Sequence, residues 1–69
     1  MAKVTVDARG LSCPQPVLLT MNAFKKPAEE YEILVDNHTA MHNVTRYAES
    51  AGKKVSVAEN GDDIVLTVR

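Results

Sequence analysis

The chain has 69 residues, a single cysteine and a formal net charge of −1, with 45% apolar and 25% charged residues. That length predicts one domain, residues 1–69, whose core leaves only about 3–5 kcal/mol of net stability. One cysteine excludes an internal disulfide, and with two histidines it is a thin supply for a structural metal site. Residues 1–26 carry four basic and one acidic residue and residues 27–69 four basic and eight acidic. A mild asymmetry of that kind, with only Phe24, Tyr31 and Tyr47 as aromatics, lacks the dense basic stripe of a nucleic-acid binder. No apolar run approaches a membrane span, and Met1 to Asp7 is too short and too alternating for a signal peptide, so a cytoplasmic, reducing location is expected.

Taken in order, Lys3 to Asp7 alternates with Val4 and Val6 on one face and predicts a half-buried strand. A loop follows from Ala8 to Ser12, in which Gly10 permits a positive φ and Leu11 tucks under the next element. Pro14 and Pro16 mark a helix start, because proline lacks an amide hydrogen that the first helical turn would leave unpaired anyway. Cys13, restricted by the proline after it, is the expected cap of that helix. The helix runs from Pro14 to Lys26 with Val17, Leu18, Met21 and Phe24 inward and Thr20, Asn22 and Lys25 outward, and Pro27 stops it.

Tyr31 to Asp36 predicts a second strand with Tyr31, Ile33 and Val35 on one face. Asn37, with Thr39 as the alternative, caps a second helix with Ala40, Val44, Tyr47, Ala48 and Ala51 inward, ending at Gly52. Lys53 to Glu59 is a third strand with Val55 and Val57 inward, Asn60-Gly61 is a hairpin turn, and Ile64, Leu66 and Val68 line a fourth strand. The expected fold is an α+β two-layer sandwich of order β-α-β-α-β-β. It has a mixed four-stranded sheet in the order 1-2-4-3 and two helices on one face. The apolar last strand suits the centre and the lysine-bearing third strand an edge, and the face with Thr5, Leu34, Ser56 and Thr67 stays open. Parallel pairing of the first two strands puts both strand-to-helix loops at one edge, so Cys13 should lie beside Asp36-Asn37-His38.

Cys13 is the sharpest chemical feature. A lone cysteine is often a small buried apolar residue, yet one in a loop entering a helix, between prolines, meets the positive end of a helix dipole that favours thiolate. The amides of Gln15 and Val17 are the candidates to hold such an anion. Dithiol redox chemistry needs a second thiol where Pro16 stands, and protease-type catalysis needs an oriented histidine, which His38 alone does not supply. His38 and His42 share a helix face without a third ligand, so no metal and no cofactor are expected. Asp7 can orient Arg9 or the loop amides, and Arg9 can steady a sulfur anion or meet a partner.

The run Asp7-Ala8-Arg9-Gly10-Leu11-Ser12-Cys13-Pro14-Gln15-Pro16-Val17 resembles the signature of the TusA-like, or SirA-like, sulfur carriers, a Cys-Pro-x-Pro after an Asp-x-x-Gly-Leu lead-in. Ser12 stands where some members carry arginine, and Ala28 where a glycine often opens the second strand. The resemblance implies that Cys13 accepts sulfane sulfur as a persulfide from a cysteine desulfurase or rhodanese-like donor and relays it to an acceptor protein. It would be a sulfurtransferase in the broad sense, serving tRNA thiolation, molybdenum-cofactor synthesis or other sulfur metabolism. Pro14, Gln15, Pro16, Asp7, Arg9 and Gly10 would support the sulfur, and Lys25, Lys26, Asn37 and His38 would contact partners. A monomer or weak dimer is expected. Val35-Asp36-Asn37 through Val44 is similar to the corresponding segment of a branch associated with selenium metabolism. A selenium carrier is therefore one alternative, and a non-catalytic interaction or regulatory module with a structural cysteine is the other.

Overall fold

The computed structural model describes residues 3–12 and 14–69. Met1, Ala2 and Cys13, with the expectation of an exposed sulfur at the helix cap, lie outside the described residues. The elements are β1 (Lys3–Asp7), α1 (Gln15–Phe24), β2 (Glu30–Val35), α2 (His38–Ser50), β3 (Val55–Asn60) and β4 (Asp63–Val68). The sheet has the expected order β1-β2-β4-β3. β1 pairs parallel with β2, while β4 runs antiparallel to both β2 and β3.

Alternation in β2 and β4 creates the core. Tyr31, Ile33 and Val35 stand opposite Val68, Leu66 and Ile64, and all six are buried, so one sheet face is a continuous apolar floor. The helices answer it with small residues: Thr20 and Ala23 from α1, and Ala40, Val44 and Ala48 from α2. Branched aliphatics on the sheet and short side chains on the helices let the two layers approach closely. At the far end of the layers Phe24 meets Tyr31 edge-on at 4.8 Å and stacks on Tyr47 at 5.8 Å, with the Lys53 ammonium 5.3 Å from the Phe24 ring centre.

Three expectations are corrected. First, α1 is shorter and rotated: its cap is Pro14, without a side-chain capping bond, and Leu18 and Met21 face outward at 44% and 37% exposure. Thr20 takes their place inside at 0% exposure because its hydroxyl donates to the Pro16 carbonyl at 2.9 Å, which removes the cost of burying it. Second, β3 begins after the lysines, and Val57, on the inner face opposite Leu66, is 45% exposed because it lies on the edge strand. Third, the hairpin loop is Gly61-Asp62 between the paired Asn60 and Asp63, with Gly61 at φ +65° and no positive φ at Asp62. That is the II′ pattern with glycine first, in place of an Asn-Gly turn.

α2 is bounded as its sequence predicts, except that Ala51 is an exposed cap residue. Asn37 in extended backbone accepts from the Ala40 amide at 2.7 Å. At the other end Gly52 and Lys53 donate to Glu49 and Ala48, both at 3.0 Å, with Gly52 at φ +83°, a Schellman ending. Leu66→Ala should cost about 2–5 kcal/mol and Asn37→Ala about 0.5–2 kcal/mol, both read by urea denaturation at neutral pH.

Candidate functional site

Parallel pairing ends β1 and β2 side by side, with Asp7 opposite Leu34, so the loops that follow them leave the same sheet edge. They are bonded to each other. Ala8 donates its amide to the Leu34 carbonyl at 2.8 Å, and Gly10 donates to Asp36 Oδ2 at 2.8 Å. The second Asp36 oxygen accepts from Asn37 Nδ2 at 3.2 Å. One carboxylate thus pins the lead-in to Cys13 against the cap of α2. Gly10, at φ +76°, adopts a backbone that an L side chain would strain.

Arg9 makes a second clamp. Its backbone amide and Nε donate to Asp7 Oδ1 at 3.2 and 2.9 Å, Nη2 donates to Asp7 Oδ2 at 2.9 Å, and Nη1 donates to Asp63 Oδ2 at 3.0 Å. The fork-to-fork pairing lowers the Asp7 carboxyl to a pKa of about 2, through the Arg9 side-chain bonds first and the Arg9 amide second. The same bonds hold the guanidinium still more firmly protonated, Asp7 first and Asp63 next. Bonded this way, Arg9 is a brace between the first loop and the start of β4.

The Gln15 amide, also assigned to the sulfur from the sequence, donates to the Ser12 carbonyl at 2.9 Å. Pro14 precedes α1 as its cap and Pro16 occupies the second helical position, buried. A cleft of about 390 Å³ opens between the loops, walled by Gly10 to Ser12 on one side and by Asp36, Asn37, Thr39 and Ala40 on the other. Asn37 therefore belongs to this edge. His38 does not line that cleft: its Nε2 lies 3.6 Å from Glu59 Oε1 of β3. Among the described residues no three His, Cys, Asp or Glu side chains are grouped to hold a metal ion. Lys25 and Lys26 follow the last residue of the ten-residue α1, at the opposite end from Gln15; such a helix is about 15 Å long.

The sequence reading placed Asp36 in the turn beside the first loop without giving it a role, and it did not find Asp63. Asp36 sits directly before the cap residue Asn37 at the end of a strand, a position from which a carboxylate can reach a neighbouring loop amide, and that signal was present. Asp63 is 54 positions from Arg9, and nothing local pairs them.

The Asp7 clamp has a pH signature. Its folded pKa lies below the ordinary 3.8, so its contribution is complete above about pH 4 and disappears as acid protonates the folded carboxylate near 2. Stability should therefore fall with acidification between those limits, and Asp7→Asn should flatten that part of the profile. Denaturation midpoints at a series of acidic pH values check it.

Residues 4–69 match the model of the family described as Sulfurtransferase TusA. A protein of Methanocaldococcus jannaschii bearing the name "Putative sulfur carrier protein" is 38% identical over 61 residues, covering 86% of this chain and 81% of that one. A Halobacterium salinarum protein of the same description is 35% identical over 63 residues, covering 87% and 78%. The crystal structure of a SirA-like protein from Desulfitobacterium hafniense superposes with a TM-score of 0.85 at 29% identity, covering 94% of this chain and 93% of that one. No helix among the described residues is long and apolar enough to cross a membrane. With the Asp-x-x-Gly-Leu lead-in to Cys13, the β1-β2-β4-β3 sheet and these matches in agreement, the chain belongs to the TusA family.

Proposed function

We propose that this protein is a sulfur carrier in which Cys13 receives a sulfane sulfur from a protein persulfide and passes it to an acceptor protein. The observation that carries this reading is the family match over residues 4–69, which includes Cys13 and its whole lead-in. In the first step the Cys13 thiolate attacks the terminal sulfur of the donor persulfide. A new S–S bond forms on Cys13 as the donor's S–S bond breaks, and the donor leaves as a thiolate, so no external oxidant or reductant is consumed. The second step repeats the exchange with the acceptor's thiolate as attacker. With one cysteine in the chain, the carried sulfur has no internal thiol to lose itself to. A cysteine desulfurase or rhodanese-like protein is the donor class, and acceptors in tRNA thiolation or molybdenum-cofactor assembly fit the relay. A reducing cytoplasm keeps such a thiol free.

The supports are local. Cys13 stands immediately before the cap of α1, where the helix dipole favours an anionic sulfur. The loop that precedes Cys13 in the sequence is held by Asp36 and by the Asp7-Arg9-Asp63 brace. α1 then offers a partner an exposed face of Leu18 and Met21, with Lys25 at the end of the same face. No acidic residue occurs from Ala8 to Ala28, so this face suits an apolar surface with an acidic rim. In this reading Lys25 and Lys26 serve docking, and Arg9 serves the loop.

Incubation with a cysteine desulfurase and cysteine should add the mass of one sulfur atom to the wild type and none to Cys13→Ser, with the added atom removed by a reductant. No gain on the wild type, or an equal gain on Cys13→Ser, overturns the carrier assignment. Leu18→Asp should slow loading by about tenfold or more while leaving the circular dichroism spectrum and the reaction of Cys13 with a small disulfide unchanged.

A further inference from the structure

Two chemical features of β3 remain unused by the sulfur chemistry: an outer edge with no strand beyond it in the sheet order, and an apolar valine on that edge. Natural edge strands are blunted by proline, bulges or inward lysines. β3, Val-Ser-Val-Ala-Glu-Asn, has no proline and no bulge: its six residues pair with β4 without interruption, Lys53 and Lys54 precede it, and its one charged residue is Glu59.

The hydrogen-bond alternation says which residues offer their backbone at this edge. Lys54 and Arg69 exchange both bonds, at 2.7 and 2.9 Å, which makes them a hydrogen-bonded antiparallel pair. By the two-residue period Ser56, Ala58 and Asn60 also bond toward β4, and Val55, Val57 and Glu59 turn their amides and carbonyls to the free edge. The same three residues share the helix-side face, since Val55 and Val57 stand opposite the buried Val68 and Leu66.

We infer that β3 is a self-association edge, pairing antiparallel with β3 of a second copy about a two-fold axis beside Ser56. In that register Val55 lies opposite the second copy's Val57, and Val57 opposite its Val55, giving four backbone bonds and two apolar cross-strand pairs. It also sets Lys53 opposite the second copy's Glu59, twice by symmetry, so opposite charges meet on the same face. On the other face Ser56 meets its own copy and Lys54 meets Ala58, with no like charges opposed. The register two residues on, with Val57 against itself, would place Glu59 opposite Val55 and Lys53 opposite Gly61, and it loses the charge match. A single copy leaves Val57 at 45% exposure and the Glu59 side chain at 59%, with His38 Nε2 3.6 Å from Glu59 Oε1 and the Lys53 ammonium over the Phe24 ring, so the cross-strand charge pair forms by exchanging these exposed contacts. The product is one continuous eight-stranded sheet in which β1, and the loop leading to Cys13, lie at the two outer ends, clear of the junction. A contact this small makes a weak, concentration-dependent dimer.

Sedimentation equilibrium over a concentration series up to millimolar tests it. The wild type should rise from 7.5 kDa toward twice that mass. Val57→Lys and Glu59→Lys should each weaken association by about tenfold or more, since each opposes the partner strand with an unmatched charge. The exchange Lys53→Glu with Glu59→Lys should restore most of it. Circular dichroism confirms that each variant is folded, and persulfide loading of Cys13 should be unchanged in all of them. A wild type that stays at the single-chain mass, single variants that associate like the wild type, or a charge exchange that fails to rescue overturns the inference.

Discussion

The parallel pairing of β1 with β2 is the constraint from which the rest of the architecture follows. A parallel pair cannot be closed by a hairpin, so α1 must cross over between the strands, and both strand ends then release their loops at one edge. That edge concentrates everything chemically distinctive about the chain: the lead-in to Cys13, the Asp36 carboxylate, the Asn37 cap and the Arg9 brace. β4 seals the arrangement by pairing β2 on its other side and supplying Asp63 to hold Arg9. Had β1 paired antiparallel, Gly10 and Asp36 would lie at opposite ends of the sheet.

Much of this was legible in the sequence because the elements are short and strongly patterned. The alternation in Tyr31 to Val35 and in Ile64 to Val68 left one way to bury six apolar side chains, and the lack of lysine in the last strand put it at the centre. Asn37 and Gly52 bounded α2 through chemistry that is local and therefore readable. α1 was misjudged because its inward stripe is small. Hydrophobicity ranks Leu18 and Met21 above Thr20 and Ala23, but packing distance to the sheet decides, and a threonine whose hydroxyl is satisfied within its own helix fits where a leucine does not. The site was legible as a motif and opaque as a network. Cys13 and its prolines announce themselves, whereas the Arg9–Asp63 bond joins residues that only the folded sheet brings together.

The electrostatics of the loop edge are structural in a specific sense. Asp7, Arg9 and Asp63 satisfy one another, and Asp36 is bonded on both oxygens, so the polar groups that surround the lead-in hold backbone in place. The open sheet face follows the same habit at its other end, where Glu30 pairs with Lys3 and Arg69, and Lys3 also reaches Glu32. Such exposed pairs contribute little stability singly. Their value here is geometric, since they fix loops and strand ends that a core of this size cannot reach.

The rotation of α1 has one more consequence. Thr20 and Ala23 are buried, Val17, Leu19 and Phe24 pack against the core, and Leu18 and Met21 face outward, so what builds the core and what meets the surroundings are written on separate faces of the same ten residues. A lineage can therefore rewrite what the helix presents to the outside, one residue at a time, while the protein beneath continues to fold as before.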